Sequence, residues 1–274
     1  MSHDTAAPMQ SFESAFLNKY NSMPVQPDRI ISAATQLFTR RRSREQGPVL
    51  QDACRPTDIA SALAIQAAVT RLLGAEIGGW KCATPAAGQV VLAPIYQTSI
   101  HATNPCPLLV RGSMAQVEPE LAFVLGCDLP PREQPYTPAD IDAAIVRTHL
   151  SLELLDSRYL DHRAVSFLDN LADGLVNQGL FLGPQIDPAG ECGTLALQIG
   201  STNETLAGHH PAGSPRLPLY WLAEYLRSQG QGLRAGQVVI TGSYAGCIPL
   251  PIGQDVAIRY GELGTLTVCF QSDA

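Results

Sequence analysis

Charge is scarce in this chain. Asp, Glu, Lys and Arg make up 16% of its 274 residues, and the basic side is the thinner one, with 18 Lys and Arg against 25 Asp and Glu. A net charge of -7 and a pI near 5.3 argue against a nucleic-acid partner, because such binding rests on neutralising phosphates. The single basic run, Arg40-Arg41-Arg42 with Arg44, reads as a solvated helix end. Long apolar runs are missing as well. Nothing approaches the roughly 20 residues of a membrane span, and the first ten residues hold no apolar signal core. The expectation is a cytoplasmic protein with no membrane partner. The seven cysteines, at 54, 82, 106, 127, 192, 247 and 269, form no Cys-x-x-Cys pair. They read as reduced thiols rather than zinc ligands or a disulfide framework. The Asn203-Glu204-Thr205 sequon has no secretory context to give it meaning. Gly242-Ser243-Tyr244-Ala245-Gly246 lacks the spacing of a serine-hydrolase nucleophile turn. Gly230-Gln231-Gly232 follows a helix pattern, not a strand, and so fails as a dinucleotide loop.

What is present divides the chain. The first 25 residues read as a loose arm. Ile30, Ile31, Ala34, Leu37 and Phe38 have helical spacing between Pro27 and about Arg44. A second helix is expected from Thr57 as N-cap, with Ile59, Leu63, Ile65, Ala68, Val69 and Leu72 on its apolar face and Gly78-Gly79 closing the helical region. Beyond that, short Val/Leu/Ile runs alternate with Pro and Gly clusters. Strands are expected over 116–125, through 155, and around 237–241, 255–260 and 265–270. Thr137-Pro138-Ala139-Asp140 starts a helix running to about Arg147. Pro218 to Ser228 is a short helix closed by Gly230. Segregated strands and helices define an α+β fold, with a helical N-terminal part over 1–77 and a β-rich domain over 78–274. No repeat is visible.

Strand side chains alternate faces with period two. Glu118 and Glu120 therefore share a face on the first long strand, with Pro119 opposite. On the strand ending at Leu155, His149, Ser151 and Glu153 share one face, and Leu150, Leu152 and Leu154 form the other, which reads as core. Like charges side by side on an apolar strand repel each other, and a cation between them relieves that repulsion. Oxygen-only ligands suit magnesium or manganese. Spacing alone leaves a second arrangement open, with Glu118 and Glu120 on a solvated face and Glu153 paired to an arginine. His149 reads as a structural hydrogen-bonder, and His209-His210 ahead of Pro211 as a surface turn.

Several segments in order add a resemblance. They are Gly79-Trp80-Lys81, then 117–126 (VEPELAFVLG), then 152–158 (LELLDSR), then Ala172-Asp173 ahead of 179–183 (GLFLG), then 233–243 (LRAGQVVITGS). Together they resemble the fumarylacetoacetate hydrolase superfamily, in its branch of 2-oxopent-4-enoate hydratases and 4-oxalocrotonate decarboxylases from aromatic catabolism. The resemblance covers about Ile30 to Phe270. It implies a mixed β-roll catalytic fold and a magnesium or manganese ion on Glu118, Glu120 and Glu153. It places Lys81 in the active site, Asp156, Arg158 and Ser243 at substrate, and the chain in a homo-oligomer. Two departures stand out. The acid of the hydratases' Pro-Asp-Tyr-Gly segment is replaced in Pro94-Ile95-Tyr96-Gln97, and the family's Ala-Asp-Asn is here Ala172-Asp173-Gly174.

The implied activity is that of a metal-dependent lyase. A small 2-oxo acid would chelate the metal through its carboxylate and neighbouring carbonyl, and the ion's charge would stabilise the enolate. Lys81 would serve in acid–base chemistry or hold the enolate oxygen, with a pKa lowered by the nearby cation. Arg158 would hold a second carboxylate, or else pair with Asp156 or Glu153. Hydratase chemistry is the leading expectation. The alternatives are decarboxylation, C–C hydrolysis, or a non-catalytic binding protein on the same fold.

Overall fold

The computed structural model describes residues 27–86, 88–188 and 192–273; the expected N-terminal arm lies outside them. In chain order the elements are α1 (Pro27–Ser43), α2 (Ile59–Leu73), β1 (Ile77–Cys82), β2 (Leu92–Tyr96), β3 (Ile100–His101), β4 (Cys106–Leu108), β5 (Met114–Leu125), α3 (Pro138–Ala144), β6 (Ile145–Leu155), α4 (Phe167–Ala172), β7 (Asn177–Ile186), β8 (Gly193–Ile199), β9 (Thr202–Gly208), α5 (Arg216–Ser228), β10 (Val238–Ile240), β11 (Ile248–Pro251), β12 (Asp255–Tyr260) and β13 (Gly264–Ser272).

Local chemistry sets the helix ends. Helix α1 carries Asp28 in its first turn and Arg40 to Arg42 in its last, matching the helix dipole at both ends. Helix α2 is capped by Asp58 rather than the expected Thr57. The Asp58 carboxylate accepts from Ser61 N at 2.7 Å, and Ser61 Oγ accepts from Asp58 N at 3.1 Å, a reciprocal box that Thr57 is one residue too early to form. That helix ends at Gly74 in the left-handed conformation (φ 58°), not at Gly78-Gly79. The latter pair lies inside β1, where a Cβ at Gly79 would run into the Val238 carbonyl of the neighbouring strand. Helix α3 has the expected Thr137 cap and Pro138, but it stops at Ala144 because β-branched Ile145 and Val146 already belong to β6.

The larger sheet runs β2-β1-β10-β5-β6-β7-β3, with β11 paired to the first half of β5. The smaller runs β4-β13-β12-β8-β9. This is the mixed α+β architecture expected from the sequence. The main core lies on the face of the larger sheet that carries Phe123, Leu150, Leu152 and Leu154, packed with Val256, Ile258, Leu266 and the helices. Burial of such side chains contributes about 1.5–3 kcal/mol each. The two sheets are also tied by a hydrogen bond from the Tyr260 hydroxyl to Ser151 O at 2.8 Å.

The other face of the larger sheet holds the functional residues. Strand partners point to the same side, so the pairs Lys81↔Ile240, Ile240↔Ala122, Val238↔Val124 and Glu118↔Glu153 place one set of side chains together. Ile95, Ala122, Val124, Leu180, Val238 and Ile240 form a second, small apolar cluster there. The acidic residues sit at its margin. Among the described residues no helix is long and apolar enough to cross a membrane.

Candidate metal centre

Antiparallel pairing of β5 with β6 sets Glu118 directly opposite Glu153, and Glu120 opposite Ser151. One carboxylate oxygen from each of Glu118, Glu120 and Glu153 lies within 4.8 Å of the others. Two oxygens on one magnesium ion lie at most about 4 Å apart, so a modest side-chain adjustment closes the three on a single cation. Among the described residues this is the one such convergence of potential metal ligands. Glu153 is fully buried, Glu120 is 2% exposed and Glu118 is half-buried. The arrangement with a solvated acidic face and a Glu153–arginine pair is therefore not the one adopted.

The partner of Glu153 is Lys81, whose Nζ donates to Oε1 at 2.6 Å and to Leu175 O at 3.1 Å. Asn177 Nδ2 donates to the same Oε1 at 2.8 Å. Glu153 Oε2 is buried and has no hydrogen-bond partner among the described residues. A buried carboxylate oxygen without a partner is costly, and a divalent cation satisfies it. Glu120 Oε2 accepts from Gly242 N at 2.6 Å, which fixes that carboxylate from β10's exit turn.

Electrostatics points the same way. Burial, then the charge of Glu153, pushes Glu118 up to about 7. Burial, with Glu153 and Glu118, holds Glu120 well above the usual carboxylate range despite the Gly242 hydrogen bond. Burial works to lower the Lys81 pKa, but Glu153, then Glu118 and Glu120, overcome it, and the net shift is upward. The expected lowering concerns the protein with a cation in place, whereas this upward shift belongs to the protein alone. Three carboxylates against one ammonium leave the cluster two charges short of neutral when all are ionised, the deficit that one divalent ion fills.

Of the remaining sequence candidates, Ser243 adjoins the turn that anchors Glu120, and Asp156 and Arg158 line a separate cavity. Ser243 follows Gly242; its hydroxyl donates to Gly246 O at 3.0 Å and Pro119 O at 3.3 Å. Arg158 pairs with Asp173 at 2.6 Å, not with Asp156 or Glu153. Asp156 is bonded by both nitrogens of the Arg111 fork at 2.9 and 3.1 Å. Asp156 and Arg158 line a cavity of about 220 Å³ with Leu154, on the opposite side of β6 from Glu153. Arg41 is not part of a solvated helix end: it donates to Asp173 O at 3.0 Å and stacks over the Tyr96 ring at 5.5 Å. His149 is the expected hydrogen-bonder, to Gly183 O at 2.9 Å. His210 is buried rather than on a surface turn, edge-on to Tyr244.

Both departures acquire a physical meaning. Ile95 is fully buried in the apolar cluster on the same side of the sheet as Lys81. Gly174 takes φ 84°, a conformation that glycine adopts freely and asparagine tolerates better than most residues. Sequence reasoning missed Asn177, Asp173, Arg111 and the Gly242 N–H. A signal for Lys81 was available, since the chain holds two lysines, Lys19 and Lys81. Asn177 gave none, because its role depends on pairing between β6 and β7.

The fold is the mixed α+β architecture of solved 4-oxalocrotonate decarboxylase structures, and the sequence comparisons return relatives of the branch that the resemblance named. The chain is similar to two kinds of protein. It is 28% identical over 266 residues to a 2-keto-4-pentenoate hydratase of Paraburkholderia phymatum, covering 89% of this chain and 98% of that protein. It is 29% identical over 155 residues to a 4-oxalocrotonate decarboxylase of a Pseudomonas species, covering 56% of this chain. The chain spans about three-fifths of the length of several curated relatives it matches, 59% in that decarboxylase. The fold matches that of 4-oxalocrotonate decarboxylase from Pseudomonas putida G7 complexed with calcium and acetate, at a TM-score of 0.72, 18% identity, and coverage of 91% of this chain and 100% of that one. No family model matches the chain.

Proposed function

We propose that this chain is a divalent-metal-dependent lyase acting on a small 2-oxo acid, of the 2-keto-4-pentenoate hydratase kind, with Glu118, Glu120 and Glu153 as metal ligands. The observation that carries this reading is the unpartnered Oε2 of buried Glu153, facing two further glutamates and backed by Lys81. Magnesium or manganese, when bound, supplies positive charge that stabilises negative charge developing on the substrate's oxygens. Lys81 is kept as an ammonium by the carboxylates around it and holds a proton on Nζ at the edge of the site. The cluster around Ile95 excludes water from one flank of that site. The Gly242 N–H orients Glu120, and Ser243 in the same turn is the contact we assign to substrate. Arg158 and Asp156, committed to Asp173 and Arg111, serve the architecture of the site rather than the substrate.

Decarboxylation is the second reading, and Ile95 favours it. A hydratase must deliver water, and the position where that branch carries an acid is here apolar. Assays of 2-oxopent-4-enoate hydration and 4-oxalocrotonate decarboxylation, before and after chelation, test both. Turnover lost with chelator and regained with magnesium or manganese is expected. Turnover indifferent to chelator, or absent on both substrates with metal present, would overturn the proposal.

A further inference from the structure

Lys81 and Asn177 converge on one oxygen of Glu153 and leave the other bare. What sets this asymmetry is the loop between α4 and β7. Gly174, Leu175 and Val176 all have positive φ, at 84°, 53° and 58°. That is uncommon for any residue but glycine, and a genuine outlier for β-branched valine. Strain of this kind persists only where the surroundings over-determine it.

Two guanidiniums do so here. Arg158 donates to Asp173 O at 2.7 Å and to Asn177 O at 3.0 Å. Arg41, arriving from α1, donates to the same two carbonyls at 3.0 and 3.5 Å. Each fork therefore spans the two ends of the loop. Asp173 returns both oxygens to Arg158, to Nε at 2.6 Å and to the backbone N at 3.1 Å. Held in this shape, the loop presents the Leu175 carbonyl to Lys81 and delivers the Asn177 side chain to Glu153. The Asn177 amide is itself oriented by a second bond, to Gly179 O at 3.3 Å.

We infer that Asn177, delivered by the left-handed loop Gly174–Val176, is a positioning residue that holds Glu153 Oε1 so that Oε2 is presented to a divalent cation. This rests on the metal-site reading above. A lysine alone does not fix a carboxylate well, because its ammonium is a rotating point charge on a flexible stem. An amide anchored at two points supplies the missing direction. Outer groups that orient metal ligands typically change metal affinity by 10- to 100-fold when removed.

The test is calorimetric titration of magnesium into the full chain, wild type beside Glu120→Gln, Asn177→Ala and the near-isosteric Asn177→Leu, with melting of each metal-free protein. The inference expects wild type to bind, Glu120→Gln to lose binding, and both Asn177 variants to bind about tenfold or more weakly with melting close to wild type. Turnover of the Asn177 variants should then recover at saturating magnesium, a split that a packing role would not give. Asn177 variants that bind like wild type would overturn the inference and leave the metal site standing. So would affinity lost only together with the fold. Wild type and Glu120→Gln both failing to bind would instead remove the metal site, and the inference with it.

Discussion

Replacing Lys81 by methionine keeps most of its length and apolar stem while deleting the ammonium. Glu153 is then left buried with a hydrogen bond from Asn177 and no counter-charge. Breaking a buried pair by removing one member costs about 3–5 kcal/mol, because the remaining charge stays desolvated. For a chain of this length that is a fall in melting temperature of roughly 6–20 °C. The double variant Lys81→Met with Glu153→Gln removes both charges, and should recover most of the loss. Linkage gives a further signature. The Lys81 pKa is raised in the folded protein, so its contribution is fully present below the ordinary lysine value of 10.5 and is lost only as pH rises through the higher folded value. The Lys81 contribution itself should therefore be lost only in strong alkali, while removing Lys81 also raises the Glu118 pKa, so the difference between wild type and Lys81→Met shifts further around neutral pH. Urea unfolding of the metal-free proteins gives all three comparisons. A single variant within about 1 kcal/mol of wild type would refute the electrostatic account, since so small a loss is what an exposed pair shows. A double variant with additive losses would do the same.

Glu118 has its pKa pushed up to about 7 by burial and by Glu153. A raised carboxyl stabilises the fold below its ordinary value of 4.5 and loses that contribution as pH climbs to about 7, so the metal-free protein should lose stability across this window while magnesium affinity rises over it; melting curves from pH 4 to 8, with and without magnesium, check the opposed trends. Val176→Gly relieves a left-handed valine and should raise stability by up to about 1 kcal/mol after the entropy of glycine is subtracted; a loss of more than that in urea unfolding would mean the valine packs better than its backbone suggests. Asp58→Ala should cost about 1 kcal/mol through the lost cap of α2, and Thr57→Ala much less.

The acidic face was legible because period two is unambiguous on strands as long as β5 and β6. Spacing puts Glu118 and Glu120 on one face and Glu153 on the face opposite the leucines, but it leaves open whether those faces meet solvent, and the shared metal set comes from the resemblance. That Glu118 faces Glu153 across the ladder was not legible, since register depends on pairing between segments about 30 residues apart. The same limit hid Asn177 and the true partner of Arg158. The run from Arg40 to Arg42 reads as a solvated end by composition, yet Arg41 turns inward to two carbonyls that belong to a distant loop. Helix ends shifted by one or two residues wherever two capping candidates adjoined, as with Thr57 and Asp58. The lowering expected for Lys81 beside a cation belongs to the loaded protein; in the protein alone the carboxylates dominate and raise it.

A crystal structure of the magnesium-loaded protein soaked with oxalate, a mimic of the 2-oxo-acid head, tests the central claim most directly. The account predicts one ion bound by Glu118, Glu120 and Glu153, with Glu153 using Oε2 and oxalate completing the coordination beside Lys81. An ion bound elsewhere, or the three glutamates turned apart with none between them, would contradict it.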